Sequence, residues 1–480
     1  VTFYTSGWAQ ILFFQQAPEA AAPPDPCTTQ WAGLDCNEFG SISHMQLRAV
    51  DTQGAGLPLV FARFTNLTTL YLFDSTFLKL VDPLLPNVPP QSFSQEFQAQ
   101  LPSLSKLELL RIEGAQMVGT LPPTLSQLTR LRELLLNHNN FNGNLPQEVM
   151  TIATLQELDV SYNELEGAIP NAFYTDDATA TLKRLRLNHN RLTGALSSLS
   201  SLSVVELVHL QNNQLSGVLP VGWPGTLKEL DLAFNGFSGF ISGTTAWSDL
   251  RSLETLNLNN NNLPWENWPL GFKKLAKIKI MNLENNILRF QFPEFYRMIP
   301  LMVDTIVSLD LSGNQVYGDI AQDTRLLFPE FKSLTNLDLS NNLLGLDYLQ
   351  ACSRMEWTSV AQCETNNADI LQTCDPSRGA VNENCVFKNA LPLSLPPLIR
   401  TVDLSVNFFG DEIPELYATY EALQSLDLRS NNEVIAASAE GIVSNEVTDF
   451  RAFKWRGNKD LPSFASTGPR DQQTRIKYSD

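Results

Sequence analysis

The sequence predicts an α/β repeat solenoid, a stack of short coils rather than a set of globules. Three observations carry that reading. A frame of sixteen positions, apolar at positions 1, 4 and 6, returns thirteen times between Leu67 and Leu423, mostly 22 to 28 residues apart. Asparagine holds position 9 in eleven of those copies, from Asn139 to Asn431. No copy can close a core alone, so copies must stack.

The copy from Leu131 reads L-R-E-L-L-L-N-H-N-N-F-N-G-N-L-P, and the one from Leu155 reads L-Q-E-L-D-V-S-Y-N-E-L-E-G-A-I-P. Apolar residues at 4 and 6 suit a short strand with alternate side chains inward. Positions 1, 4 and 6 together do not fit one face of a long helix. The recurring asparagine reads as a buried amide that satisfies backbone groups where the chain leaves each strand. Glycine at position 13 lets the backbone turn closely. It stands at Gly119, Gly143, Gly167, Gly194, Gly217, Gly239 and Gly318, and is missing after Leu263, Leu288 and Leu344. The pattern resembles the plant-type leucine-rich repeat, L-x-x-L-x-L-x-x-N-x-L-x-G-x-L/I-P, over about residues 40 to 470. That resemblance implies a right-handed leucine-rich repeat superhelix, a parallel β-sheet on its concave face and disulfide-stapled insertions.

In chain order, residues 1–41 read as an N-terminal segment and disulfide cap. Its stretch from Cys27 through Trp31 and Gly33 to Cys36 is similar to the W-x-G-V/I-x-C cap of the family. The similarity implies that Cys27 and Cys36 pair and that Trp31 covers the first coil. The Ala/Pro run before it reads as a stiff connector. Residues 42–344 are the main solenoid, with a degenerate copy at Ile42 and an insertion at 78–106 that five prolines restrain. Residues 345–398 are an island holding Cys352, Cys363, Cys374 and Cys385, each eleven residues from the next. Three pairings are open to them. In plant-type receptors such islands can form part of a ligand site. Residues 399–446 carry the final repeats. Residues 447–480 are a C-terminal cap and tail, with a further degenerate copy near Val447 and a segment, Phe453 to Leu461, that resembles the family's closing F-x-G-N-x-x-L.

The chain has 480 residues, with 33 Lys plus Arg against 51 Asp plus Glu, a net charge of −18. That balance argues against nucleic-acid binding and against docking on an anionic membrane. No run of apolar residues is long enough to span a bilayer. Zinc would need thiolates or histidines at short spacing. There is no C-x2-C, and His44, His138, His189 and His209 all lie far from the second cysteine cluster. The six cysteines therefore read as disulfides, which places the chain in an oxidising, extracellular or cell-surface setting. The absence of a leader then implies a processed N-terminus. Motifs of hydrolases, zinc proteases, P-loop NTPases and kinases are absent, so no enzyme activity, cofactor or metal is expected.

Positions 2, 3, 5, 7 and 8 are expected to form the contact surface. The candidate ligand-binding residues are Tyr71, Phe73, Arg111, His138, Tyr162, Arg186, His189, His209 and Phe234. Aromatic and basic side chains on one strip suit an interaction hot spot. At position 5 the last four copies carry Asp310, Asp338, Asp403 and Asp427. Neighbouring strands would bring these carboxylates about 5 Å apart, raising pKa values or attracting a cation. Bonds to Ser312, Ser340 and Ser405 offer a purely structural reason for them. Asn66-Leu67-Thr68 is a glycosylation sequon. The expected function is a secreted or cell-surface recognition module, non-catalytic, that binds a protein, peptide or glycan on the concave face. The alternative is a structural subunit of an extracellular wall, coat or filament, through self-association or assembly with other extracellular chains.

Overall fold

The computed structural model describes residues 34–48, 65–73, 93, 98–99, 101–174, 181–239, 247–266, 268–292, 301–318, 320, 330–346, 391–409, 411–428, 430–431 and 434–436. Two compact units divide the chain, Val1–Gly236 and Phe237–Asp480. Both are β-solenoids of stacked parallel strands.

In the first unit, Leu34–Cys36 pairs antiparallel with Ile42–Arg48. From there the sheet runs parallel in chain order through Thr69–Phe73, Leu109–Glu113, Glu133–Leu135, Glu157–Asp159, Arg184–Arg186, Leu207–His209 and Glu229–Asp231. The degenerate copy at Ile42 is therefore a true member of the sheet. Register is strict: Glu157 lies beside Arg184, which lies beside Leu207, which lies beside Glu229. Equal repeat positions thus meet across strands and form rows. Each coil adds a second short strand on its far side, giving the parallel series Val118–Thr120, Asn140–Asn144, Glu164–Ala168, Arg191–Ala195 and Gln214–Gly217. The position-13 glycines sit here with positive φ. At Gly167, φ is 75°, and an added Cβ would stand 2.4 Å from the Asn144 Oδ1.

The second unit stacks Thr255–Asn257, Ile280–Asn282, Ser308–Asp310, Asn336–Asp338, Thr401–Asp403 and Ser425–Asp427. Asn336 still pairs in register with Thr401, so the cysteine island is inserted between two adjacent coils without breaking the ladder. Where glycine is missing after Leu263 and Leu288, the far-side strands shrink to the isolated bridges Ser238–Asn262 and Gln291–Tyr317. Aromatic side chains fill that side instead. Trp265, Trp268, Phe272 and Phe290 pack edge to face at centroid distances of 5.3 to 6.5 Å.

The coil interiors follow the frame. Leu155, Leu158 and Val160 are fully buried, as are their counterparts in neighbouring coils. The position-9 asparagines act as read. Asn190 donates from Nδ2 to the carbonyls of Val160 and Leu187 (3.0 and 3.1 Å) and accepts the Leu165 N–H at 2.9 Å. Each such amide ties its own turn to the coil before it. The helical part of the expected architecture is made of 3-10 turns of four or five residues, several entered through a proline, such as Pro122, Pro146, Pro269 and Pro414. A coil this short has room for a single turn, and proline supplies its φ. One expectation is corrected. Position 7 is not uniformly part of the exposed surface: Ser161, Asn188, Asn259, Ser312 and Ser405 are buried, while Glu113, Asn137, Gln211, Glu284 and Ser340 are partly buried. The strand ends at position 5, and the tightening turn draws position 7 inward while it pushes position 8 out.

Candidate functional site

All the candidate residues but Phe73 fall into two rows of the first unit. One row is position 5 on the sheet; the other is position 8 in the turn after it.

On the sheet, Tyr71 lies beside Arg111 in register, and the Arg111 guanidinium carbon stands 4.6 Å from the Tyr71 ring centre. Arg111 also donates from Nε to Glu113 at 2.9 Å. Burial pushes the Glu113 pKa up, but hydrogen bonds from Arg111 and Asn137 outweigh it and hold the carboxyl below its usual range. Arg186 is bound to Glu157, as is Arg184, which donates from Nε at 2.6 Å. Glu157 is buried. Desolvation raises its pKa, and the two guanidinium groups more than reverse that, so it is held low. His209 Nε2 meets Glu229 Oε1 at 2.9 Å. Arg111 and Arg186 are thus members of ion pairs, and His209 is hydrogen-bonded to Glu229. Their partners Glu113, Glu157 and Glu229 were missed. The available signal was opposite charge at nearby positions of the same or adjacent coils.

In the turn row, His138, Tyr162 and His189 stack face to face. The Tyr162 ring lies 4.3 Å from His138 and 4.0 Å from His189, with planes within 13°. All three backbones are left-handed, with φ of 57°, 53° and 54°. Asn212 follows in the next coil, its Nδ2 at 3.3 Å from His189 Nε2, and then Phe234, half exposed, with φ of 52°. Burial lowers the His189 pKa, and the charge of His138 lowers it further. His189 is therefore neutral at pH 7. Phe73 ends its strand, and its side chain lies outside the described residues.

In the second unit, Asp310, Asp338, Asp403 and Asp427 do form one row, along a depression of about 270 Å³ that Ser308, Asn336, Thr401 and Ser425 also line. Asp310 takes the N–H and hydroxyl of Ser312 at 2.9 and 2.7 Å, and Asp338 and Asp403 accept the N–H of Ser340 and Ser405 at 3.0 Å. Desolvation, with the neighbouring Asp338 charge, pushes Asp403 up to about 6. Each of these three carboxylates caps the turn after its own strand. Among the described residues no group of His, Cys, Asp or Glu is arranged to hold a metal ion.

Cys36 is disulfide-bonded. Cys27, Cys352, Cys363, Cys374 and Cys385 lie outside the described residues, as do Trp31, the 78–92 part of the proline-rich insertion and the closing segment. In the sequon, Asn66 Oδ1 accepts Lys106 Nζ at 2.7 Å, and the Thr68 hydroxyl bonds the Ser43 carbonyl at 2.9 Å. No helix among the described residues is long and apolar enough to cross a membrane.

Comparison with known proteins agrees with this geometry. The Leucine Rich Repeat family matches at residues 154–175 and 252–275. Rabbit (Oryctolagus cuniculus) lumican is 34% identical over 145 residues, 28% of this chain and 67% of lumican. Receptor-like protein 35 of Arabidopsis thaliana is 23% identical over 265 residues, 52% of this chain and 27% of that protein. The chain spans between 12% and 27% of the length of the plant receptor-like relatives it matches. Among solved structures, the Arabidopsis receptor kinase HAESA, in complex with a peptide hormone and a co-receptor, superposes with a TM-score of 0.52 at 25% identity, covering 81% of this chain and 57% of that one.

Proposed function

We propose, from the premise that this chain belongs to the leucine-rich repeat family, that it is a non-catalytic recognition module for an extracellular peptide or extended polypeptide segment. The ligand lies along the sheet side of the first unit, beside the row His138–Tyr162–His189–Phe234. The setting is extracellular, which the disulfide at Cys36 and the receptor-like relatives support.

The observation that carries this reading is where those rings are placed. Position 8 demands positive φ in every described coil from Asn139 onward. Asn212, Asn260, Asn285, Asn341 and Gly313 meet that demand with the residues best suited to it. His138, Tyr162, His189 and Phe234 meet it at a cost on the order of 1 kcal/mol each, as do Val406 and Ser430 in the second unit, so it is the rings together with their strain that mark the first unit. Stacking returns about 0.5–1.5 kcal/mol per ring pair, yet Phe234 is half exposed and stacks on no other ring among the described residues. Three stacked rings in adjacent coils, with Phe234 one coil beyond Asn212, suit contact with a partner. The faces of His138, Tyr162 and His189 are largely taken up by one another, which leaves ring edges as their free surface. Such edges serve the amides and side chains of a peptide better than the flat face of a sugar.

The test is capture of the partner from the native extracellular fraction, compared between the full chain and the variants Tyr162→Asn and His189→Asn. Asparagine relieves the backbone, so both variants keep their melting temperature. A drop in capture of tenfold or more supports the reading. Full capture by both variants overturns it, and loss of capture on deletion of 345–398 alone would move recognition to the island.

A further inference from the structure

In the second unit, the segment Leu270–Ile280 (L-G-F-K-K-L-A-K-I-K-I) holds four lysines and no carboxylate, in a chain where acids outnumber bases. It forms the 3-10 turn Leu270–Lys274 and the approach to the strand Ile280–Asn282. Phe272, Leu275 and Ile278 are fully buried and pin the segment to the coil. Their burial turns the lysines outward: Lys274, Lys277 and Lys279 are exposed and Lys273 partly so. Lys279 is matched by Glu254 at 2.6 Å. Lys273, Lys274 and Lys277 have no carboxylate partner among the described residues. Arg251, exposed at the same end of the preceding coil, has none either.

The fold does not need these charges. The other 3-10 turns described, Leu101–Leu104, Pro123–Gln127, Gln147–Thr151, Asn171–Tyr174 and Glu415–Thr419, carry no base in the last turn. Uncompensated like charges at close spacing repel one another, so the cluster is a local cost in an otherwise acidic protein.

We propose that Lys273, Lys274 and Lys277, with Arg251, form a docking surface for an acidic polysaccharide chain. Charge complementarity gives the sign of the partner, and the residue types narrow its class. Protein interfaces are depleted in lysine and anchored on Trp, Tyr or Arg; this patch is mostly lysine and has no exposed ring. Lysine is a hydrated point charge on a flexible stem, which suits a repeating anion without fixed planar geometry. The five-residue turn is too short to lie in a bilayer interface.

The experiment measures binding of a heparin dodecasaccharide to the full chain at low salt and follows the affinity as salt rises. The triple variant Lys273→Gln/Lys274→Gln/Lys277→Gln is compared with Lys183→Gln/Lys228→Gln/Lys332→Gln, which removes the same charge elsewhere. Surface changes of this kind leave folding within about 0.5 kcal/mol. The expected result is an affinity loss of at least tenfold in the first variant only, with a flatter salt dependence by about two to three in log–log slope. No binding by the full chain, or equal losses in both triple variants, overturns the proposal. Tighter binding of phosphatidylserine vesicles or of a polyglutamate peptide through the same lysines overturns the assignment to polysaccharide.

Discussion

A buried asparagine in this fold serves three backbone groups at once, so its removal costs more than one hydrogen bond. Asn190→Ala strands the Leu165 N–H and the carbonyls of Val160 and Leu187. The expected loss is about 3 kcal/mol, measured by urea unfolding. Two carboxylates should respond to pH in opposite directions. Glu157 is held below its usual 4.5 by Arg184 and Arg186. Its stabilisation is complete above that value and is lost as pH falls through the lowered pKa. Glu157→Gln should therefore destabilise by about 2 kcal/mol at pH 7, with the difference shrinking in acid. Asp403 is the reverse case, raised from 3.8 to about 6. Its folded form favours the proton, so its contribution is greatest below 3.8 and is lost as pH rises through about 6. Asp403→Asn keeps an acceptor for the Ser405 N–H and removes the repulsion from Asp338 and Asp427. It should stabilise the protein by about 1–3 kcal/mol at pH 7, and the gain should vanish near pH 4. A melting-temperature series over pH for the wild type and both variants checks both signs.

At the scale of elements, the coils differ most where the glycine of the frame is lost. After Leu263 and Leu288 the far-side strand shrinks to single bridges, and the Trp265–Trp268–Phe272–Phe290 cluster closes the coil by volume instead, whereas Leu343–Leu344 still pairs with Tyr317–Gly318. Trp268→Ala should cost about 3–5 kcal/mol, well above any single position-13 glycine change in a coil whose far-side ladder is intact; a loss under 1 kcal/mol would show that the cluster is not needed. The return from the cysteine island is fixed by tyrosines. Tyr417 donates to the Pro392 carbonyl, and Tyr420 bonds both the carbonyl and the N–H of Leu395, all at 2.7 Å. This explains how a long insertion leaves the register from Asn336 to Thr401 undisturbed. The order of rows was legible in the sequence, because period and phase fix which positions meet. The fate of position 7 was not, since only the path of the turn decides whether that side chain faces in or out.

For the molecule as a whole, a solenoid is stabilised coil by coil against its neighbours, and its ends are the weak points. Cys36 is disulfide-bonded and ends the strand Leu34–Cys36, which pairs antiparallel with Ile42–Arg48 at one edge of the sheet. Under reducing conditions, hydrogen exchange should quicken first in residues 42–73, while residues 131–235 keep their protection; uniform loss across the first unit would argue against an end cap.

Period, phase and the repeated amide were enough for the sequence to determine the stacked parallel sheets and the buried rows, because each is set by local spacing. It also named the rings of the candidate surface. It could not tell that Arg111 and Arg186 pair with glutamates and His209 bonds Glu229, that His138, Tyr162 and His189 form one stack, or that Lys273, Lys274 and Lys277 have no carboxylate partner among the described residues. Those facts depend on which side chains of separate coils reach one another, and distance across a stack is a property of the folded chain alone.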